Sequence, residues 1–312
     1  MGDWINIAVR FALYADLMLL FGLPLFGLYA LRGEERLAGT ALRFGSLITG
    51  TAVFGIMLSL LAMLVLAKSM SGVSQFMELE RHVFEMIISG TDVGFTWIIR
   101  IAALILALLA ALLLRRWPLA CLGLVSLFGA VALATLAWAG HGAMDEGTRR
   151  YVHFTSDIFH LVGAGAWLGA LAAFGLLLRP GSLVASEHMH LLSRVLNGFA
   201  TTGTVIVVTL SITGVINYGL IVGPTLDGLL SSLYGQLLLA KLALFALMLV
   251  LAAANRFRLS PLLERSIQNY QHQQAVTALR RSLFVEIGAA ILILGLVAWL
   301  GTLSPEIEMA ME

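Results

Sequence analysis

Charge is scarce in this chain. Lys, Arg, Asp and Glu make up 12% of its 312 residues, while 60% are hydrophobic, and the mean hydropathy is +0.94. A soluble core of this length needs far more charge to cover its surface, so the composition excludes a water-soluble globular protein. Cysteine is nearly absent: with Cys121 alone, no internal disulfide can form. There is no GxSxG turn, and no cysteine accompanies the histidines, so nucleophilic hydrolysis finds no support. Phosphate-loop and dinucleotide fingerprints are missing as well, which makes a binding or transport protein the better expectation than an enzyme. No basic n-region or small-residue cleavage site frames the first apolar run, and no cleaved signal peptide is expected. The net charge of +1 gives no reason to expect a nucleic-acid partner. Internal repeats and low-complexity segments are also lacking.

What the chain has is long apolar runs, each able to cross a hydrocarbon core of ~30 Å. Eight spans are expected, at about Ile5 to Leu31, Ala41 to Ala67, Val93 to Leu114, Pro118 to Ala139, Val152 to Leu178, Gly198 to Val222, Leu233 to Ala254 and Ser282 to Leu303. The runs are continuous rather than alternating, which excludes a β-barrel. The expected fold is all-α: one polytopic membrane bundle in a single domain, residues 1–312, embedded in the lipid bilayer. Twelve of the nineteen basic residues fall in loops on one side, four on the other, and Arg10, Arg100 and Lys241 lie inside spans. The positive-inside rule then places both termini in the periplasm. Two connections are longer than the rest. Phe76, Leu79, Val83, Met86 and Ile87 recur at helical spacing and point to an interfacial helix. The stretch from Asn255 to Ser282 is expected to be partly helical and broken at Pro261.

The informative polar residues form one stripe. His153, Asp157 and His160 stand at i, i+4 and i+7 of the fifth span, within roughly 60° of one another over ~10 Å of rise. Two imidazoles and a carboxylate are expensive in hydrocarbon unless they face the bundle interior or hold a guest there. Neutral imidazole is a frequent ligand for copper and zinc, and Asp157 is one turn from each histidine. The preferred set is His160 with Asp157, completed by His141 from the preceding loop, with His153 as a further ligand. Met144, His82, Met77 and Met86 are accessory candidates for a soft ion, although methionine is also a common gap filler. Arg100, Asn217, Lys241 and Trp167 are expected to support the cluster. The plainer alternative is that these groups only hydrogen-bond one another between helices.

By depth, Arg10, Arg100, His153, Asp157, His160 and Lys241 fall in the periplasmic half, Asp16 at mid-depth, and Glu286 in the cytoplasmic half. That distribution implies a polar vestibule open on one side and closed by apolar packing on the other. Met18, Met57 and Met248 are the only inner candidates for an ion path, and nothing singles them out. A rival reading is a haem-binding redox or biosynthetic protein with one haem b held by His160 or His141.

Several pieces in order resemble one family: TDVGFTWIIR, AGHGAM, DIFHLVGAGAWLGAL, TGVINYG, YGQLLLAK, NRFRLSP and LRRSLFVEIGAAILILGLVAWLGTLSP. They run from Thr91 to Pro305, and the chain resembles the copper resistance protein D (CopD) family of bacterial inner-membrane proteins. The resemblance implies copper handling at the cytoplasmic membrane, with copper moved inward from the periplasm beside a separate CopC-like copper-binding partner. His141, Asp157, His160, Trp167, Asn217, Tyr234, Lys241, Asn255 and Arg256 occupy family motif positions. Of these, His141, Asp157 and His160 are plausible copper ligands.

Overall fold

A computed structural model describes residues 2–36, 42–140, 142, 145–179, 186–223, 229–230, 232–268 and 273–303. Among these residues there is no strand. Eight helices are long and apolar enough to cross a membrane. They are α1 (Gly2–Ala30), α2 (Phe44–Ser71), α4 (Asp92–Leu112), α5 (Pro118–Ala134), α6 (Gly147–Leu177), α7 (Ser186–Ile221), α8 (Leu233–Ala254) and α10 (Gln273–Leu300). A short helix, α3 (Arg81–Gly90), precedes α4, and α9 (Ser260–Gln268) precedes α10. The expected spans all appear, and α6, α7 and α10 start earlier than expected. Their polar first turns simply continue the helix beyond the apolar stretch.

Local chemistry explains the ends. The Thr91 hydroxyl caps α4 by accepting from the Gly94 N–H at 3.0 Å, and Ser232 caps α8 by accepting from Gly235 at 3.0 Å. Pro118 opens α5, where its missing N–H costs nothing. Gly72, at φ 70°, ends α2 in the left-handed conformation. The interfacial helix α3 is shorter than the apolar spacing implied, because Phe76 falls in a separate 3₁₀ turn. Val83 and Ile87 are buried against Met63 and Ala67 of α2, whereas Met86 faces out.

Pro261 does not break the chain as expected. A π turn at Asn255–Leu259 follows α8, with the Ser260 N–H reaching the Asn255 carbonyl, and α9 continues from it. The wider turn places Pro261 near the start of α9, where the ring meets no preceding helical donor requirement.

Helix α1 is the central post, packed on α2, α5, α6 and α10. Its crossing with α6 is glycine against glycine: a Cβ on Gly22 would lie 2.8 Å from the Gly169 Cα. Small residues there let two backbones meet, a frequent device between membrane helices. Trp4 of α1 and Trp299 of α10 meet in a tilted pair with centroids 6.0 Å apart, and Arg10 donates to the Ala139 carbonyl, so the start of α1 and the end of α10 gather on one face. We call this the terminal face, and the opposite one the arginine-rich face. Helix α8 packs closely on α10 and stands off from α6 and α7, with Phe245 bridging to Trp167 at 5.9 Å.

Candidate metal centre

The α6 stripe meets α7 near the terminal face. Because the two helices run antiparallel, residues 153–160 of α6 lie beside 213–217 of α7. Asn217 donates through Nδ2 to Asp157 Oδ1 at 2.7 Å. His160 Nδ1 lies 2.9 Å from Thr213 Oγ1, and Ser156 donates to the Thr213 carbonyl at 3.3 Å. Lys241 of α8 stands within electrostatic reach of both Asp157 and His160.

His153 is the most enclosed member, with 1% of its surface exposed. Its Nδ1 lies 2.6 Å from Asp145 Oδ2, in the connection leading into α6, and Arg149 Nε holds the other oxygen of Asp145 at 3.1 Å. A carboxylate oxygen accepts, so Nδ1 carries the proton and a neutral ring presents its lone pair at Nε2. That Nε2 is buried with no hydrogen-bond partner among the described residues, 3.7 Å from Asp157 Oδ2. Ligands at about 2 Å from one ion can stand up to ~4 Å apart, so the pair spans a distance one metal can bridge. Asn217 Oδ1, also buried without a partner among the described residues, adds a second unsatisfied acceptor on the same network.

The pairing differs from the one read from sequence. Asp157 is engaged by His153 and Asn217, while His160 turns to Thr213. Asp145 and Thr213 are the residues that sequence reasoning missed. His141 and Met144 lie outside the described residues, but Gly140 and Gly142 do not. A Cβ on Gly140 would stand 3.8 Å from Asp157 Oδ2, and one on Gly142 would stand 3.1 Å from His153 Cγ, so glycine at 142 lets the loop lie on the imidazole. Among the described residues alone, no three His, Cys, Asp or Glu side chains are arranged to hold a metal ion.

The other candidates sit elsewhere. His82 pairs with Glu80 at 3.0 Å on the surface, and Met77 and Met86 are exposed on a segment that packs on α2 and α4. Arg100 is buried on α4 beside Tyr14 of α1, with no hydrogen bond to the α6 stripe. Trp167 is a core residue against Phe245 rather than a wall of the site. Met63 and Met248 are buried in packing, and Met57 faces outward.

An eight-span bundle with a buried histidine–carboxylate network near one face defines a polytopic membrane protein. The chain belongs to the copper resistance protein D family. Residues 1–152 match the copper resistance protein D-like N-terminal domain, and residues 193–300 match copper resistance protein D. His153, Asp157 and His160 fall in the interval between these two matches. The chain is 52% identical to copper resistance protein D of Pseudomonas syringae pv. tomato over 311 residues, covering both proteins in full. It is 30% identical to the inner membrane protein YebZ of Escherichia coli K12 over 96% of this chain and 98% of that one. It is also 30% identical to the copper transport protein CutJ of Bacillus subtilis 168, over 79% of this chain and 45% of that one. No solved structure matches. The family gives no support to the haem alternative.

Proposed function

We propose that this chain is a multi-pass inner-membrane protein of copper homeostasis that captures copper near its terminal face and moves it into or across the membrane. The observation that carries the reading is His153. Its Nδ1 is gripped by Asp145, and its Nε2 is buried, unpartnered and aimed at Asp157. An imidazole oriented by a carboxylate on one nitrogen and free on the other is the usual state of a metal-ligating histidine. His153 and Asp157 form the core of the site, with His141 and His160 as the further nitrogen ligands. Copper suits nitrogen donors and is the cargo.

The basic bias of the loops puts the terminal face in the periplasm. The eight helices act as one membrane domain, and copper arrives from a separate periplasmic CopC-like protein.

The test is copper stoichiometry and affinity of the purified protein, loaded under reducing and under aerobic conditions. His153→Ala and Asp157→Ala are each expected to remove the tight site, His160→Ala to weaken it, and His82→Ala to leave it intact. Unchanged affinity in both His153→Ala and Asp157→Ala would show that the network is an ion-pair lock between helices and would end the proposal.

A further inference from the structure

The half of the bundle without copper ligands holds its own buried acid. Glu286 of α10 is 2% exposed and lies deep in the membrane-spanning part of the helix. No arginine, lysine or histidine of the described residues forms an ion pair with it. Of the basic residues next in chain, Arg256 donates to the Ala200 carbonyl and Thr204 Oγ1 and Arg280 to the Leu178 carbonyl, while Arg258 and Arg281 form no ion pair with Glu286. From α1, Arg10 is engaged at Ala139 near the terminal face and Asp16 faces Gly55 of α2. From α8, Lys241 faces Asp157 and His160. An ionised carboxylate without a counter-charge is expensive in this setting.

Its one hydrogen-bond partner among the described residues is Asn255, whose Nδ2 donates to Glu286 Oε2 at 2.7 Å. The other end of that amide, Asn255 Oδ1, is buried and lacks any donor. Ser282 Oγ, one turn before Glu286 on the same face of α10, is buried and unpartnered too. The lone acid and the unsatisfied amide oxygen have one remedy. A protonated carboxyl is neutral, and its O–H satisfies Asn255 Oδ1 in a two-bonded acid–amide pair. When the proton leaves for water, the Asn255 amide still donates to the carboxylate, and Ser282 Oγ, one turn away, is held by no other partner among the described residues. The site thus accommodates both forms.

We propose that Glu286, held by Asn255 in the half of the bundle nearer the arginine-rich face, is a proton-carrying site whose proton exchanges as copper moves. Asn255 also begins the π turn into α9, so gain or loss of the proton acts on a bend of the backbone. The coupling to copper rests on the function proposed above; the proton on Glu286 does not.

The decisive variant is Glu286→Gln, which copies the neutral acid: its carbonyl accepts from Asn255 Nδ2 and its amide donates to Oδ1. Infrared difference spectra between the parent and this variant, near neutral pH in lipid, are expected to show one protonated-carboxyl carbonyl band present only in the parent. Absence of that band overturns the proposal, including the case of a carboxylate held ionised by sodium. In proteoliposomes with an enclosed pH dye, copper uptake by the parent is expected to carry a proton signal that Glu286→Gln loses. Glu286→Asp, which keeps an acid, restores part of it. A variant that retains the full signal overturns the coupling. Parent vesicles that take up no copper overturn the coupling and the proposed function together, and the infrared band then decides the proton site alone.

Discussion

The Thr213 hydroxyl lies 2.9 Å from His160 Nδ1 and 2.6 Å from the carbonyl of Thr209. A carbonyl only accepts, so the single hydroxyl proton goes to Thr209. Oγ1 then accepts from His160 Nδ1–H, which fixes the tautomer and leaves the Nε2 lone pair for a ligand.

This gives a graded expectation. Thr213→Val keeps the shape and removes the acceptor, and copper affinity is expected to fall about tenfold, the lower end of what such supporting contacts contribute. Thr213→Ser should stay near the parent. Competition titration against a chelator of known affinity measures both, and equal affinity in Val and parent would mean that His160 is not a ligand.

Asp145 is the stronger lever. It orients His153 from a loop and is itself tied to Arg149 at 3.1 Å. Asp145→Asn replaces an acceptor by an amide that can rotate its N–H toward Nδ1. Copper affinity is expected to drop roughly 10- to 100-fold. Arg149→Ala, which removes the outer tie to Asp145 and the Arg149 donation to the Leu220 carbonyl of α7 but leaves the His153–Asp145 contact in place, is expected to change affinity by much less. The reverse order of these two variants would assign His153 a different role.

How far the sequence led can be judged from such residues. All eight spans were legible, because a lipid solvent leaves a continuous apolar signal that needs no tertiary knowledge. The His153, Asp157 and His160 stripe was legible from helical period and cost of burial. The partners were not. Asp145 sits in a polar connection where an aspartate is unremarkable, and Thr213 reads as one of many small residues in α7. Which histidine faces Asp157 depends on helix rotation, and a period gives a face without its neighbour. Pro261 misled for a related reason: proline marks a break only where the preceding turn is α-helical, and the π turn at Asn255–Leu259 is invisible in composition.

The α1–α6 crossing should be intolerant of a single methyl. A Cβ at Gly22 meets the Gly169 backbone, 2.8 Å from its Cα and 3.0 Å from its nitrogen, and backbone cannot rotate away. Gly22→Ala is expected to destabilise the bundle by about 1–3 kcal/mol through overpacking. Gly123→Ala on α5, with open space around its Cβ position, serves as the neutral control. Thermal unfolding in detergent distinguishes them, and matching melting temperatures would mean that α1 and α6 do not approach this closely.

Copper loading should weaken as pH falls from 7 to 5. An imidazole must be neutral to bind metal, so protons compete with copper for each histidine nitrogen. Affinity that is flat across this interval would count against histidine ligation. His160→Ala, which keeps a weakened site, should leave a shallower dependence than the parent.

The arginine-rich face has a pH dependence of its own. Glu35 accepts from the Arg32 N–H at 2.7 Å, and Arg194 Nη2 donates to both its oxygens, at 2.6 and 2.7 Å, which ties the start of the α1–α2 connection to α7. Partial burial pushes this carboxyl up, but the Arg32 N–H and the Arg194 charge outweigh it, and the net effect holds Glu35 below the usual glutamate range. A carboxyl depressed in the folded state stabilises the fold above its unfolded value, about 4.3, and that contribution is lost as pH falls through the lower folded value. Stability is therefore expected to be level from pH 7 to about 5 with respect to this group, and to decline below about 4. Glu35→Gln should flatten part of that acid limb. Because both side chains are about one-third exposed, solvent screening keeps the loss at neutral pH under about 1 kcal/mol. Melting temperatures of parent and variant from pH 3.5 to 7 give the comparison, and an acid limb of equal depth in both would remove Glu35 from the account.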